Sequence, residues 1–398
     1  AERTQLNVPP SYDETVSWLR KLVDAAPELE MFPIGRSLQG RDIWMVVASA
    51  DQAFSAEAMK KSEKSLLLAH SGIHAGEIDG KDAGLMLLRD MTVADRRKEL
   101  LAGSSFLFIP ILNVDGHERK SAFNRINQRG PVEMGWRTNA RNQNLNRDFT
   151  KLDTEGVRAL IRVFRQWKPD LYLDLHVTDG ADYQYDITFG GNGRNGWSPA
   201  IGGWIEDVYR PAINSALSEN GHEPGGLIFA ANGKDMKDGV LTWSGNPRFS
   251  NGYGDAVHLP TILVENHSLK PYKRRVLGTY VLLAETLELL AREQGSLRKA
   301  TEADQQRRPQ LVPLGFERDE TSPVQNVSFK GIASQRFKGR VSGAEVVRWT
   351  GQPVVETIPE IFINKPTFQV KPPGAYLIPP AWKDVVERIA MHLSLIHI

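Results

Sequence analysis

The feature that most restricts how this chain can fold is the alternation of short apolar runs with longer amphipathic ones. "DIWMVVAS" (42–49), "SLLLAH" (65–70), "SFLFIPILN" (105–113), "DLYLDLH" (170–176) and "PTILVE" (260–265) have the length and character of buried strands. Between and after them, "GKDAGLMLLRDM", "EGVRALIRVFRQW", "PAIGGWIEDVYRPAINSAL" and "RVLGTYVLLAETLELLARE" carry helical spacing. Strands alternating with helices predict an α/β fold, a mixed, mainly parallel twisted sheet with helices on both faces. Near the start, "SYDETVSWLRKLVDAA" (11–26) predicts an amphipathic helix. Ser11 with Glu14 forms a capping-box signature, and Val16, Leu19, Leu22 and Val23 recur on one face.

This domain is expected to occupy residues 1–293. The polar stretch "EQGSLRKATEADQQRRPQ" predicts a linker over 294–309, and the Gly- and Pro-rich remainder, 310–398, a small and incomplete β-rich appendage. The final "LSLIHI" does not continue the helical pattern of "PPAWKDVVERIAMH". It looks like the in-frame reading of a sequencing adaptor, which would make 394–398 foreign and end the native sequence near His392. The opening "AERTQLNVPP" lacks methionine, as a mature chain freed of a secretory signal would, so a secreted or periplasmic location is expected, with a cytoplasmic one as the alternative.

Composition removes several classes of function. Lysine plus arginine (49) and aspartate plus glutamate (48) nearly cancel, so no nucleic acid partner is expected. No apolar stretch reaches the roughly 18 residues of a bilayer span. The chain has no cysteine, which excludes disulfides, thiolate metal sites and a cysteine nucleophile together. Histidine and carboxylate are then the candidate zinc ligands.

In an open α/β sheet, ligands bind beyond the carboxyl ends of the strands. Here "SLLLA" runs into His70, His74 and Glu77, "FLFIPIL" into Asn113, Asp115 and His117, "LYLDL" into His176, and "TILV" into Glu265. One site collecting these groups is the economical reading. Catalytic zinc takes three protein ligands and keeps a further position for water. His74 and Glu77, three apart in the glycine-flanked "HAGE", can approach one ion from a turn, and His176 completes the shell. Glu265 is the carboxylate available to take a proton from water. Asp174 shares a strand face with His176 and is either a buried structural acid or a partner of the site. His70 and His267 could support or line it.

With these residues in place, the chain resembles the zinc carboxypeptidase family over roughly residues 10–293. "IGRSLQGRDIW" (34–44), "HAGE" (74–77), "NVDG" (113–116), "WRTNARNQNLNRDF" (136–149), "DLH" (174–176) and "LVEN" (263–266) match the family's motifs in family order. The resemblance implies one zinc ion on His74, Glu77 and His176, Glu265 as general base, and Arg137 stabilising the oxyanion. It further implies that Asn146 and Arg147 grip the terminal carboxylate of a peptide or protein substrate, a planar guanidinium being suited to clasp it with two hydrogen bonds. The activity implied is hydrolysis of the C-terminal peptide bond.

The sequence departs from the family at three places. Asn144 stands where an aspartate usually supports a zinc-bound histidine, and Gly76 where digestive members have arginine inside H-x-x-E. The mobile tyrosine that caps the substrate has no unambiguous counterpart; Tyr253, between Gly252 and Gly254, is the choice made here. Asp255 is a weak hint of affinity for basic ends. Related zinc hydrolases, an N-acyl amino acid deacylase or a cell-wall peptide amidase, share the same ligand motifs and form the alternative. An inactive binding module would lack a ligand or the base, and the sequence lacks neither.

Overall fold

The computed structural model describes residue 2 and residues 5–321 and 324–392, so the adaptor-like segment 394–398 falls outside the described residues. The chain opens with α1 (Tyr12–Ala25), β1 (Leu29–Arg36), β2 (Asp42–Ala48), α2 (Ala56–Ser62), β3 (Ser65–Ser71) and α3 (Asp79–Met91). It continues through α4 (Leu100–Gly103), β4 (Ser104–Ile109), α5 (Val114–Glu118), α6 (Glu155–Trp167), β5 (Leu171–Val177) and β6 (Ile187–Gly190). Then come α7 (Pro199–Trp204), α8 (Arg210–Glu219), β7 (Pro224–Gly226), β8 (Phe229–Ala230), β9 (Val240–Trp243), α9 (Ser250–Ala256), β10 (Thr261–Asn266) and α10 (Tyr272–Gln306). The last part holds β11 (Val312–Arg318), β12 (Gln325–Lys338), β13 (Glu345–Val370) and α11 (Lys383–His392).

Local chemistry starts α1 where expected. Ser11 Oγ accepts from the Glu14 N–H, and the Glu14 carboxylate accepts from the Ser11 N–H at 2.8 Å, which satisfies two otherwise orphaned donors. Leu19 and Leu22 are the apolar positions it buries.

Eight strands form the main sheet in the order β1-β2-β4-β3-β5-β10-β6-β7. Its centre, β4-β3-β5-β10, is parallel, while β1, β2 and β6 pair antiparallel. Alternation of side chains divides the core into two layers. Leu67, Ala69, Phe106, Phe108 and Leu173 pack with helices including α3 and α10. Leu66, Leu68, Leu107, Ile109 and Tyr172 pack on the other face with α6. Burial on both faces is why these strands read as continuous apolar runs.

The expected linker over 294–309 is instead helical as far as Gln306, the continuation of α10. Its polar surface is tied down at intervals. Leu297 is buried, Arg298 pairs with Asp170 at 2.8 Å, and the Asp304 carboxylate accepts from the Ala200 and Ile201 N–H groups at the start of α7. Nor is the region after it a detached appendage. β11, β12 and β13 share a five-stranded sheet with β8 and β9, which precede α10 in the chain.

Candidate active site

β3 ends at Ser71, and the chain leaves it through Gly72 at φ 68°, a left-handed conformation that suits glycine. The following turn closes with the Glu77 N–H donating to the His74 carbonyl at 2.9 Å, so both side chains project from one side. β5 lies next to β3 and delivers His176 from its C-terminal end. His74 Nδ1 is 3.1 Å from Glu77 Oε1, and His176 Nδ1 is 2.9 Å from Glu77 Oε2. One ligand atom from each of the three lies within 4.8 Å of the others, the one such cluster of three histidine, aspartate or glutamate groups among the described residues.

The donor set fits a metal ion. His74 Nδ1 is buried and makes no hydrogen bond, as does Oε2 of Glu265, so the cradle has unmet polar capacity of the kind a cation satisfies. The opposite ring nitrogens are already engaged. His74 Nε2 meets Asn144 Oδ1 at 3.0 Å and His176 Nε2 meets Asp174 Oδ2 at 2.8 Å, so donation from Nε2 turns each Nδ1 lone pair toward Glu77. Asp174 is therefore a partner of the site, held in turn by the Ser250 hydroxyl. His70 stands one step further out, 2.6 Å from the Tyr172 hydroxyl and 3.3 Å from Asp174.

Burial would raise the Glu77 carboxyl, but Arg125 and His74 hold it well below the usual carboxylate range. Arg125 is the functional neighbour that sequence reasoning missed. Its Nη1 lies 2.8 Å from Glu77 Oε1, buried beside Gly76. A Cβ at Gly76 would stand 2.6 Å from Arg125 Cδ and 2.7 Å from the Gly135 carbonyl oxygen. The glycine inside "HAGE" thus makes room for an arginine that arrives from 49 residues further along the chain, by subtraction of the two positions. Gly76 was the one visible hint, since nothing in "SAFNRINQRG" advertises the contact.

Glu265 sits on β10 as the Cα partner of His176 on β5, so strand register alone brings it to the centre. Burial pushes its carboxyl up to about 8; His176 opposes the rise, while Glu77, Asp179 and Asp174 add to it. His74, Glu77, Arg137, Asn146, Arg147, His176 and Glu265 all open onto one cavity of about 700 Å³. Arg137 Nη1 is 3.2 Å from Glu77 Oε1. Arg147 lies 4.4 Å over the Phe249 ring and donates to the Asn146 carbonyl at 2.6 Å. The Asn146 side-chain oxygen accepts from the Ser250 N–H at 3.1 Å. Two guanidiniums in a partly desolvated cavity are an environment for an anion.

Other expected residues lie elsewhere. Tyr253 does not line the cavity; α9 turns it into the core, against Phe149 and Phe164, with its hydroxyl 3.0 Å from His392 Nδ1. The choice of Tyr253 as the capping residue is corrected accordingly: its flanking glycines serve close backbone packing, since a Cβ at Gly254 would collide with Thr261. Asp255 is also turned away, accepting from the Trp197 and Ser198 N–H groups. Asp115 binds Ser37 and Arg41, and His117 meets Lys81 and Glu118, so the end of β4 supports the scaffold rather than the cavity. His267 stacks on Tyr183 and bonds Asp182.

The family model for zinc carboxypeptidases matches residues 15–189. Carboxypeptidase 2 of Trichophyton rubrum is 24% identical over 408 residues, covering 96% of this chain and 68% of that protein. Among solved structures, a metallo-carboxypeptidase from Pseudomonas aeruginosa in complex with (2-guanidinoethylmercapto)succinic acid superposes with a TM-score of 0.53 at 18% identity, covering 73% of this chain and 70% of the other. A metallo-carboxypeptidase from Burkholderia cenocepacia gives 0.54 at 16% identity, covering 71% and 70%. The fold is thus shared with these metallo-carboxypeptidase structures, and over residues 15–189 the chain is similar to zinc carboxypeptidases, a likeness with which the His74, Glu77 and His176 cluster agrees.

Proposed function

We propose that the protein hydrolyses the C-terminal bond of peptides with Glu265 as general base, Arg137 as oxyanion donor, and Asn146 and Arg147 as the clamp on the terminal carboxylate. The observation that carries this reading is the shared cavity, which holds a three-ligand metal cradle, an orphaned carboxylate and two arginines. A zinc ion held by His74, Glu77 and His176 would acidify water and polarise a carbonyl. Glu265 accepts a proton from the attacking water as the new C–O bond forms, then passes it to the nitrogen as the C–N bond breaks. Arg137 faces the negative charge that develops on the carbonyl oxygen, where a positioned donor is worth most. Arg147 pairs with the free carboxylate and orders the last residue for attack.

The test uses zinc-loaded protein with matched peptides bearing a free or an amidated C-terminus, and N-acyl amino acids in parallel. Release of the last residue from the free-ended peptide alone is expected, and in Glu265→Gln a fall of roughly 10²–10⁴-fold in kcat at unchanged zinc content. Equal cleavage of the amidated peptide, faster turnover of N-acyl amino acids, or an unimpaired Glu265→Gln variant would each overturn it.

A further inference from the structure

The region that follows α10 reaches back to the active site. β13 runs parallel beside β9, with Ile361 opposite Leu241 and Ile363 opposite Trp243. Because side chains alternate, Leu241, Trp243 and Ile363 share one side of this pair, and all three open onto the catalytic cavity. Thr242, Phe362 and Asn364 alternate with them and line a neighbouring cavity, which Phe229, Leu241 and Trp243 border as well, whereas Ile363 opens onto the catalytic one alone of the two. The acids on the catalytic lining are Glu77, Glu265 and Asp179, so the wall built by β9 and β13 carries none. It is an apolar surface in half-buried positions, continued by Phe229.

A second tie runs through the segment after His176, whose residues 177–181 and Tyr183 also line the cavity. The Gln184 N–H donates to the Lys330 carbonyl at 2.9 Å, and its Nε2 donates to the Gly331 and Val354 carbonyls at 3.0 and 2.8 Å. Tyr183 packs in a small core with Phe329 and Ile358 of the same sheet. β12 and β13 therefore hold one side of the cavity in place and supply part of another.

We infer that the C-terminal sheet is part of the substrate pocket: Ile363, with Leu241 and Trp243, receives the side chain of the residue being released and selects aromatic and large aliphatic ends. This deepens the carboxypeptidase reading above and rests on it. A charged side chain placed against this wall loses hydration and finds no partner there. A large apolar one gains burial, and the loss of a single methylene in such a pocket changes discrimination by roughly 10- to 200-fold.

The experiment compares kcat/KM for peptides differing only in the last residue, Phe, Leu, Ala, Lys or Glu, in the wild type, Ile363→Ala, Ile363→Asp and the opposite-face variant Phe362→Ala. The wild type is expected to favour Phe and Leu. Ile363→Ala should lower the Phe-to-Ala ratio about 10-fold or more, mainly through KM. Ile363→Asp should move the Phe-to-Lys ratio toward Lys by a similar factor, and Phe362→Ala should leave the ratios as they are. A ratio measured within one preparation is not altered by partial misfolding, so Ile363→Ala decides the matter even where Ile363→Asp folds poorly. A wild-type preference for Lys or Glu, or ratios that do not move in Ile363→Ala, would overturn the inference while leaving the carboxypeptidase reading intact. Release of no terminal residue from any peptide would overturn that reading, and the inference with it.

Discussion

Asn144 occupies the position from which a hydrogen bond orients a zinc-facing imidazole, and it does so with a neutral oxygen 3.0 Å from His74 Nε2. Removing such a partner typically costs 10- to 100-fold in metal affinity. Asn144→Ala is expected to weaken zinc binding by about that factor in a chelator competition, and Asn144→Asp to tighten it, because the added charge makes the ring more basic. A variant pair with the same affinity as the wild type would show that the contact is incidental. His117 gives a test away from the metal. Burial, then the neighbouring Lys81, depress it to about 3, against an ordinary value of 6.5, so the folded state keeps it neutral. Between those limits the unfolded chain binds the extra proton, and stability falls with pH by up to about 1.4 kcal/mol per unit. The adjacent Glu118 adds its own loss only below 4.5, its unfolded value, as pH falls toward its depressed folded value of about 2. Between pH 6.5 and 4.5, His117→Gln should therefore show a shallower loss of stability in urea titrations than the wild type. His70, depressed to about 4 by burial, leaves part of the slope in place. An identical slope in both proteins would contradict the assignment. Residues of this kind differ in how visible they were. His74, Glu77, His176 and Glu265 were legible because each stands at the end of an apolar run with the residue type the chemistry needs. Arg125 was not, because its partner is set by three-dimensional proximity to Gly76.

Among the elements, the strands and helices named from the sequence begin within a few residues of where the structure has them, whereas β1 and the buried β6 were not anticipated. Helix α6 runs Glu155–Trp167, the same span as the pattern "EGVRALIRVFRQW". The end of α10 was misread for an equally physical reason: beyond residue 293 it buries little, so its periodicity fades, and ion pairs and side-chain contacts to distant segments hold it instead. The close approach of α3 to β4 offers a test of element packing. A Cβ on Gly84 would collide with the tip of the Phe108 ring, its Cζ and both Cε atoms. Gly84→Ala normally favours a helix, by about 1 kcal/mol. Here overpacking should win, with a net loss of about 1–3 kcal/mol in urea unfolding and no change in the metal affinity of the folded protein. Stabilisation by this substitution would show that Phe108 swings aside at little cost.

Across the whole molecule, the metal centre joins the turn after β3 to the end of β5, so an ion bound there favours the folded state alone. Free zinc at 100 times its Kd should add about 2.7 kcal/mol. A chelator is expected to lower Tm and abolish peptide hydrolysis together, and zinc to restore both; an unchanged Tm would mean the ligands are not assembled as described. The fold class, the ligand types and the strand ends that carry them were determined by the sequence itself, since apolar runs must be buried and the polar groups that follow them are then left at the carboxyl edge of the sheet. Which residues share the cavity was decided only by tertiary structure. Register sets Glu265 beside His176, a missing side chain at Gly76 admits Arg125, and α9 turns Tyr253 inward. Pairing of β13 with β9, across more than a hundred residues of chain by the numbering of the two strands, carries Ile363 to the site. Such long-range pairings depend on what each segment finds when the chain closes on itself, and no local pattern of residues records that.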